Sequence, residues 1–269
     1  MRIASVFILS ACLLTGLASA QNTALGTDAP RLFEKGMNSL MGVGVGTDDL
    51  DALDYLKRSA DLGYAPAQVV VGYFYDSGTK VPQNYTTAAD WYKKATKQDD
   101  RVAEWLLGRL YYTGSGVQRD LSAAETWFQK SASQGDPYGQ YLLGMVKLER
   151  SDYVKAAELF RKSASQGLPQ AQAQLGHLMK EGQGINADKR QAYVWLLVSY
   201  QAGYQPAAAD LQLLNADLSM NQIDEAKNKA RDLQQTVTRA AVARGCTGWP
   251  GEFNAVPAPP TPEIQNFCR

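Results

Sequence analysis

The chain has 269 residues, 45% of them apolar, with 27 basic side chains against 27 acidic ones. That balance gives no electrostatic argument for nucleic acid or an anionic surface as partner. The single histidine, His177, allows at most one histidine-centred triad and no His-based zinc cluster.

In chain order, Met1-Arg2 opens a short positive region, Ile3 to Leu17 is almost wholly apolar, and Ala18-Ser19-Ala20 has the small-x-small form of a cleavage site. Residues 1–20 therefore read as a secretory signal peptide, with the mature chain expected from Gln21 and a short extension over 21–28. Leu9-Ser10-Ala11-Cys12 supports a second processing route, in which Cys12 becomes a lipidated N-terminus. The short apolar run before Cys12 favours the cut after Ala20. No later stretch approaches the roughly 18 apolar residues of a membrane span, so an exported, periplasmic protein is expected.

From residue 29 the sequence repeats. Gly36, Gly72, Gly108, Gly144 and Gly176 form one series, Tyr55, Trp91, Trp127, Leu159 and Trp195 a second, and Gly63, Asp99, Gly135, Gly167 and Gly203 a third. Each advances by 36 residues except for one shared step of 32. Self-similarity at that period predicts a solenoid. The third unit shows the local pattern. Ala103 to Tyr112 has apolar residues at helical spacing, Gly114-Ser115-Gly116-Val117 breaks the helix, Asp120 opens a second one, and Gly135 ends it. Gly108 falls inside the first helix at a cost of about 1 kcal/mol against alanine, which close approach of the two helices would explain. The recurrent Trp91, Trp127 and Trp195 are assigned to the core between units.

The segments Ala103-x-x-x-Leu107-Gly108-x-x-Tyr111-x-x-Gly114-x-Gly116-Val117-x-x-Asp120 and Ala123-Ala124-x-x-Trp127-Phe128-x-x-Ser131-Ala132-x-x-Gly135 resemble the Sel-one-like repeat, a relative of the tetratricopeptide repeat. The pattern returns over Ala67 to Asp99, Gly139 to Gly167 and Ala171 to Gly203, and in degenerate form over Ala29 to Gly63, where Gly42-Val43-Gly44-Val45 keeps the turn. Five repeats are read over 29–203. The fourth replaces the glycine turn by Glu149-Arg150-Ser151-Asp152 and is four residues shorter. The resemblance implies an all-α fold, a right-handed α/α solenoid of paired antiparallel helices. Residues 204–236 continue the helical pattern without the turn and read as the capping pair that covers the last open face.

Residues 237–269 are rich in proline and carry Cys246 and Cys268, expected to pair as a disulfide in an oxidising compartment. The bridge would close about 22 residues and contribute roughly 3 kcal/mol. Trp249, Phe253 and Phe267 leave two roles for this tail, extra capping of the last helices or occupation of a groove; capping is favoured.

The resemblance also implies that first helices line a concave face through the positions three before and one after the repeat glycine. These are Phe33 and Met37, Val69 and Tyr73, Trp105 and Arg109, Tyr141 and Met145, then Ala173 and His177; Leu40, Asp76, Tyr112, Leu148 and Lys180 lie one turn on. Such side chains are typical of binding hot spots. The competing reading, packing of the same residues against neighbouring helices, stays open.

Little points to chemistry. Ser77-Gly78-Thr79-Lys80 has the Ser-x-x-Lys spacing of penicillin-recognising enzymes, but Gly78 aligns with the turn glycine Gly114. Gly42 to Gly46 suggests a phosphate loop without the preceding strand. Asp48, Asp49, Asp51 and Asp54 suit the start of a helix. No cofactor and no metal are expected, and His177 reads as a groove or surface residue. Relatives implied by the resemblance act as non-enzymatic adaptors in envelope signalling, as assembly scaffolds for secretion or polysaccharide machinery, and as immunity proteins against antibacterial effectors. A protein-binding role, with inhibition or immunity favoured, is the expectation; a glycan-binding module is the alternative, and a hydrolase using Ser77 the remotest.

Overall fold

The computed structural model describes residues 28–40 and 49–243, excepting the side chains of 49–51 and 239–243. The expected signal peptide, Cys12, the glycines of 42–46, Asp48 and the expected Cys246–Cys268 bridge lie outside the described residues, as do the side chains of Asp49 and Asp51. Every regular element among the described residues is helical. A first helix, α1, covers 28–40. It is followed by α2 (Asp49–Asp61), α3 (Ala65–Ser77), α4 (Tyr85–Thr96), α5 (Arg101–Thr113), α6 (Leu121–Ser133), α7 (Pro137–Glu149), α8 (Tyr153–Ser165), α9 (Pro169–Glu181), α10 (Lys189–Gln201), α11 (Ala207–Asp217) and α12 (Met220–Ala243). The chain divides into two compact units, Met1–Gln98 and Asp99–Arg269. Their described parts are α1–α4 and α5–α12.

Within each unit a helix packs on the one that follows it, and the repeat glycine fixes the distance. A Cβ on Gly72 would lie 2.7 Å from the Tyr92 ring, and one on Gly108 2.7 Å from the Phe128 ring. Gly144 stands in the same relation to Phe160, and Gly36 and Gly176 to the leucines Leu56 and Leu196. The glycine is therefore the socket for a buried side chain of the second helix. Tyr92, Phe128, Phe160, Leu56 and Leu196 are all fully buried.

This corrects the assignment of the tryptophans. The core position is one residue after the series Tyr55, Trp91, Trp127, Leu159 and Trp195. One residue is about 100° of helix, so the indoles are rolled to the margin. Trp91 and Trp127 are half-buried, with Lys94 Nζ 3.6 Å and Lys130 Nζ 4.4 Å from their ring centroids. Trp195 is half-buried too, although it packs against the core shared by α8 and α9.

Turn chemistry sets the helix ends. Helices α3, α5 and α9 stop at glycines in the left-handed conformation, Gly78, Gly114 and Gly182, whose N–H returns to the carbonyls of Phe74, Leu110 and Leu178. The next helix then starts on Asn84, Asp120 or Asp188, whose side chain accepts from the free amides of its first turn. Such a cap is worth about 1 kcal/mol. Asp99 occupies the glycine register of Gly63 and Gly135 and adopts the same backbone, φ 55°; aspartate tolerates this region better than most side chains. In the fourth repeat Ser151, at φ 60°, makes the short turn and Asp152 caps α8, so the helix pair survives the loss of four residues.

Leu211, Leu214, Ile223, Ala226 and Ala230 of α11 and α12 join Tyr193, Val194, Leu196 and Val198 of α10 in one apolar cluster. The final helix runs to Ala243, beyond the expected limit of the pair at 236, and places Val237 against Gly167. No helix among the described residues is long and apolar enough to cross a membrane.

Candidate functional site

The first-helix faces differ between the two units. In the first, Phe33, Met37 and Val69 are 4%, 4% and 1% exposed. They are core there and do not line an open face. Phe33 meets Tyr64 edge-on, with centroids 5.3 Å apart, and Tyr73 alone among the four named positions of this unit is half-buried. Asp76 also turns inward, since its Oδ2 accepts from the Tyr92 hydroxyl at 3.0 Å. The buried Tyr92 is the one tyrosine at that core position, so the pairing explains an acid where other repeats have Tyr112 or Leu148.

In the second unit Arg109, Tyr112, Tyr141, Met145 and His177 are half-buried and keep some surface. Trp105, 9% exposed, and Ala173 are buried, so the indole is core and does not line an open face. The Trp105 indole stacks on Tyr138 of α7, with centroids 5.0 Å apart and planes at 16°. Tyr141 tilts onto Phe160 at 5.9 Å, and together with Met145 and Leu148 it packs against the α8–α9 core. Burial, and after it the nearness of Tyr204, push the Tyr141 phenol above its usual range. Tyr112 reaches along the face to Glu149 of α7 with its hydroxyl. Tyr112, Tyr141 and Met145 thus serve packing with one side and keep some surface on the other.

Sequence reasoning missed the acids behind this face. Glu104, directly before Trp105, is 1% exposed, and its Oε2 accepts from Gln134 Nε2 at 2.8 Å. Burial pushes its carboxyl up to about 7, against the opposing effects of the Gln134 hydrogen bond and the Lys130 charge. Asp136 is fully buried; Oδ1 caps α7 by accepting from the amides of Tyr138 and Gly139 at 2.9 and 3.0 Å. Burial again dominates and pushes it up to about 7, despite the two amides and Arg101, whose Nε lies 3.8 Å from Oδ2. Asp100, the cap of α5, is also raised by burial, in spite of its bonds from Ala103 and Val102. A signal existed for Glu104, because Gln68, Gln140 and Gln172 hold its position in other repeats.

His177 joins α9 to α11. Its Nδ1 lies 3.0 Å from Asp210 Oδ2 on α11, while Lys180 Nζ donates to Asp210 Oδ1 at 2.5 Å. Burial alone would raise the Asp210 carboxyl, but the bonds from Lys180 and His177 outweigh it and hold it low. The histidine is thereby occupied in holding α11. Ser77 is likewise committed, donating from Oγ to the Tyr73 carbonyl at 2.8 Å. Gly78, in the left-handed conformation, ends α3 before Lys80, so the lysine does not follow Ser77 by one helical turn. Among the described residues no three His, Cys, Asp or Glu side chains gather as a metal site.

Pairs of helices joined by glycine turns, each glycine socketing a side chain of its partner, define an α-solenoid repeat protein. The chain belongs to the Sel1 repeat family, whose model matches residues 32–64, 65–100, 101–136, 137–168 and 169–204. It is similar to a Sel1 repeat protein from Oxalobacter formigenes at 28% identity and a TM-score of 0.65, over 76% of this chain and 87% of that one. A protective antigen of uropathogenic Escherichia coli strains with an SLR fold is similar at 22% identity and a TM-score of 0.52, over 88% of this chain and 58% of its own. No curated protein matches. Sel1 repeat proteins are in general non-enzymatic scaffolds that bind other proteins.

Proposed function

We propose that this is an exported, periplasmic Sel1 repeat protein that captures another protein non-covalently through the first-helix face of its second unit, and that capture inhibits the partner, as an immunity protein does. The observation that carries this reading is the row formed by Arg109, Tyr112, Tyr141 and Met145, which are half-buried and keep some surface beside the buried Trp105–Tyr138 stack. Anchored aromatic and arginine side chains bind at low entropic cost. Export is supported by the leader-like sequence of residues 1–20. A glycan-binding role is less well supported, because Trp105 spends one ring face on Tyr138.

The test is affinity capture from envelope and secreted fractions with the full mature chain, using an Arg109→Glu/Tyr112→Ala variant as control. A single protein retained by the parent and lost by the variant, at equal helical circular dichroism, supports the reading. Direct titration of the purified partner and an assay of its activity then separate inhibition from scaffolding. Retention of glycan alone, or equal retention by the variant, overturns it.

A further inference from the structure

Two buried carboxyls flank the Trp105–Tyr138 stack, Glu104 immediately before the indole on α5 and Asp136 holding the Tyr138 amide at the start of α7. We propose that Glu104 and Asp136 make the third repeat a pH-responsive element, which takes up protons as pH falls through neutrality and so tightens the seat of the Trp105–Tyr138 pair. The link to partner capture rests on the function proposed above; proton uptake by the repeat does not.

The geometry disfavours two carboxylates here. At the Glu104 position other repeats use an amide that also donates, Gln68 Nε2 to the Ala60 carbonyl at 3.1 Å and Gln172 Nε2 to the Ala164 carbonyl at 3.3 Å. A carboxylate has no proton to give, whereas a carboxylic acid has one. Asp136 is more constrained, since Oδ1 takes both amides and Oδ2 has no hydrogen-bond donor. Arg101 faces Oδ2 from 3.8 Å, beyond hydrogen-bonding reach. The charged groups acting on Glu104 are Lys130 from α6 and the like charges Asp99 and Asp100 from the preceding turn; those acting on Asp136 are Arg101 and, again as a like charge, Asp100. Buried acids so placed favour the neutral form.

Both carboxyls ionise less readily folded than unfolded, so the folded repeat holds more protons between about pH 5 and 7. Stability is then greatest in acid and falls as pH rises to about 7.

The experiment measures chemical unfolding of the full chain from pH 4.5 to 8 for the parent, Glu104→Gln and Asp136→Asn, with carbon NMR of the two carboxyl groups in the parent. Each neutral variant should gain on the parent by about tenfold in its folding constant per pH unit between pH 5 and 7, then keep that advantage unchanged at higher pH. The parent carboxyl signals should titrate near neutrality. Parallel stability curves, or both carboxyls titrating in the ordinary carboxylate range, overturn the proposal; the NMR titration decides even where a variant fails to fold. Proton uptake with pH-independent capture removes the link to the binding face alone, and uptake with no capture at any pH removes the proposed function while the pH-responsive element stands.

Discussion

Gly108 and Phe128 are so close that a single methyl group between them would stand 2.7 Å from the ring. Real side chains do not approach that closely, and Trp127 Cβ blocks retreat at 3.1 Å. Gly108→Ala should therefore destabilise the second unit by about 1–3 kcal/mol through overpacking, outweighing the gain of about 1 kcal/mol in helix propensity. A fall in thermal midpoint, where propensity alone predicts a rise, checks this.

Phe128 and Trp127 are sequence neighbours with different work. Phe128→Ala removes a fully buried ring and should cost about 3–5 kcal/mol. Trp127→Ala uncovers part of a margin and breaks a lysine contact worth about 0.5–1 kcal/mol, so its loss should be clearly smaller. Denaturant midpoints of the two variants, compared side by side, test which residue is core.

That pair also shows what could be seen in the sequence. The repeat, the helix pairing, the glycine turns and the need for close approach at Gly108 all follow from local chemistry that recurs. Trp127 and Phe128 recur together, however, and periodicity cannot rank neighbours; only the glycine opposite reveals which one is socketed. The inward turn of Asp76 depended on the hydroxyl of Tyr92, and the roles of Asp210 and Asp136 on contacts between helices. These are relations between distant positions, which no single motif carries. Register alone could not separate the half-buried Arg109, Tyr112, Tyr141 and Met145 from the buried Phe33, Met37, Val69 and Trp105, whose burial comes from packing within their own units.

Asp210 anchors α11 to α9 through His177 and Lys180. Asp210→Asn should cost about 1–2 kcal/mol at pH 7, as expected for a charge-assisted bond at a partly buried site. The folded carboxyl titrates below its unfolded counterpart, whose ordinary value is 3.8. Its stabilisation is therefore present above about pH 4 and lost as pH falls below it. The gap in thermal midpoint between parent and variant should close on acidification from pH 7 to 3, the opposite sense to the effect at Glu104.

Glu125 of α6 joins the third and fourth repeats by meeting Lys147 Nζ at 2.5 Å and Arg150 at 2.6 Å. The Lys147 hydrogen bond is the main reason its carboxyl is held low, with burial opposing. Glu125→Gln should lower stability by about 1 kcal/mol, and the deficit should shrink in high salt, since part of the pair is exposed to screening ions. Melting curves at low and high ionic strength decide.

Gly184 is the most restrictive position of the second unit. A Cβ there would lie 2.2 Å from the carbonyl carbon of Tyr153 and 2.6 Å from the amide nitrogen of Val154, at φ +68°. Its neighbour is backbone, which cannot rotate away as a side chain does. The contact is with the start of α8, whose first residue, Tyr153, directly follows the short turn of the fourth repeat. The longer turn of the fifth repeat closes onto that start. Gly184→Ala adds about 1–2 kcal/mol of left-handed strain to the collision. It should lower the thermal midpoint more than Gly182→Ala, whose added carbon would meet the Ala187 side chain at 3.1 Å.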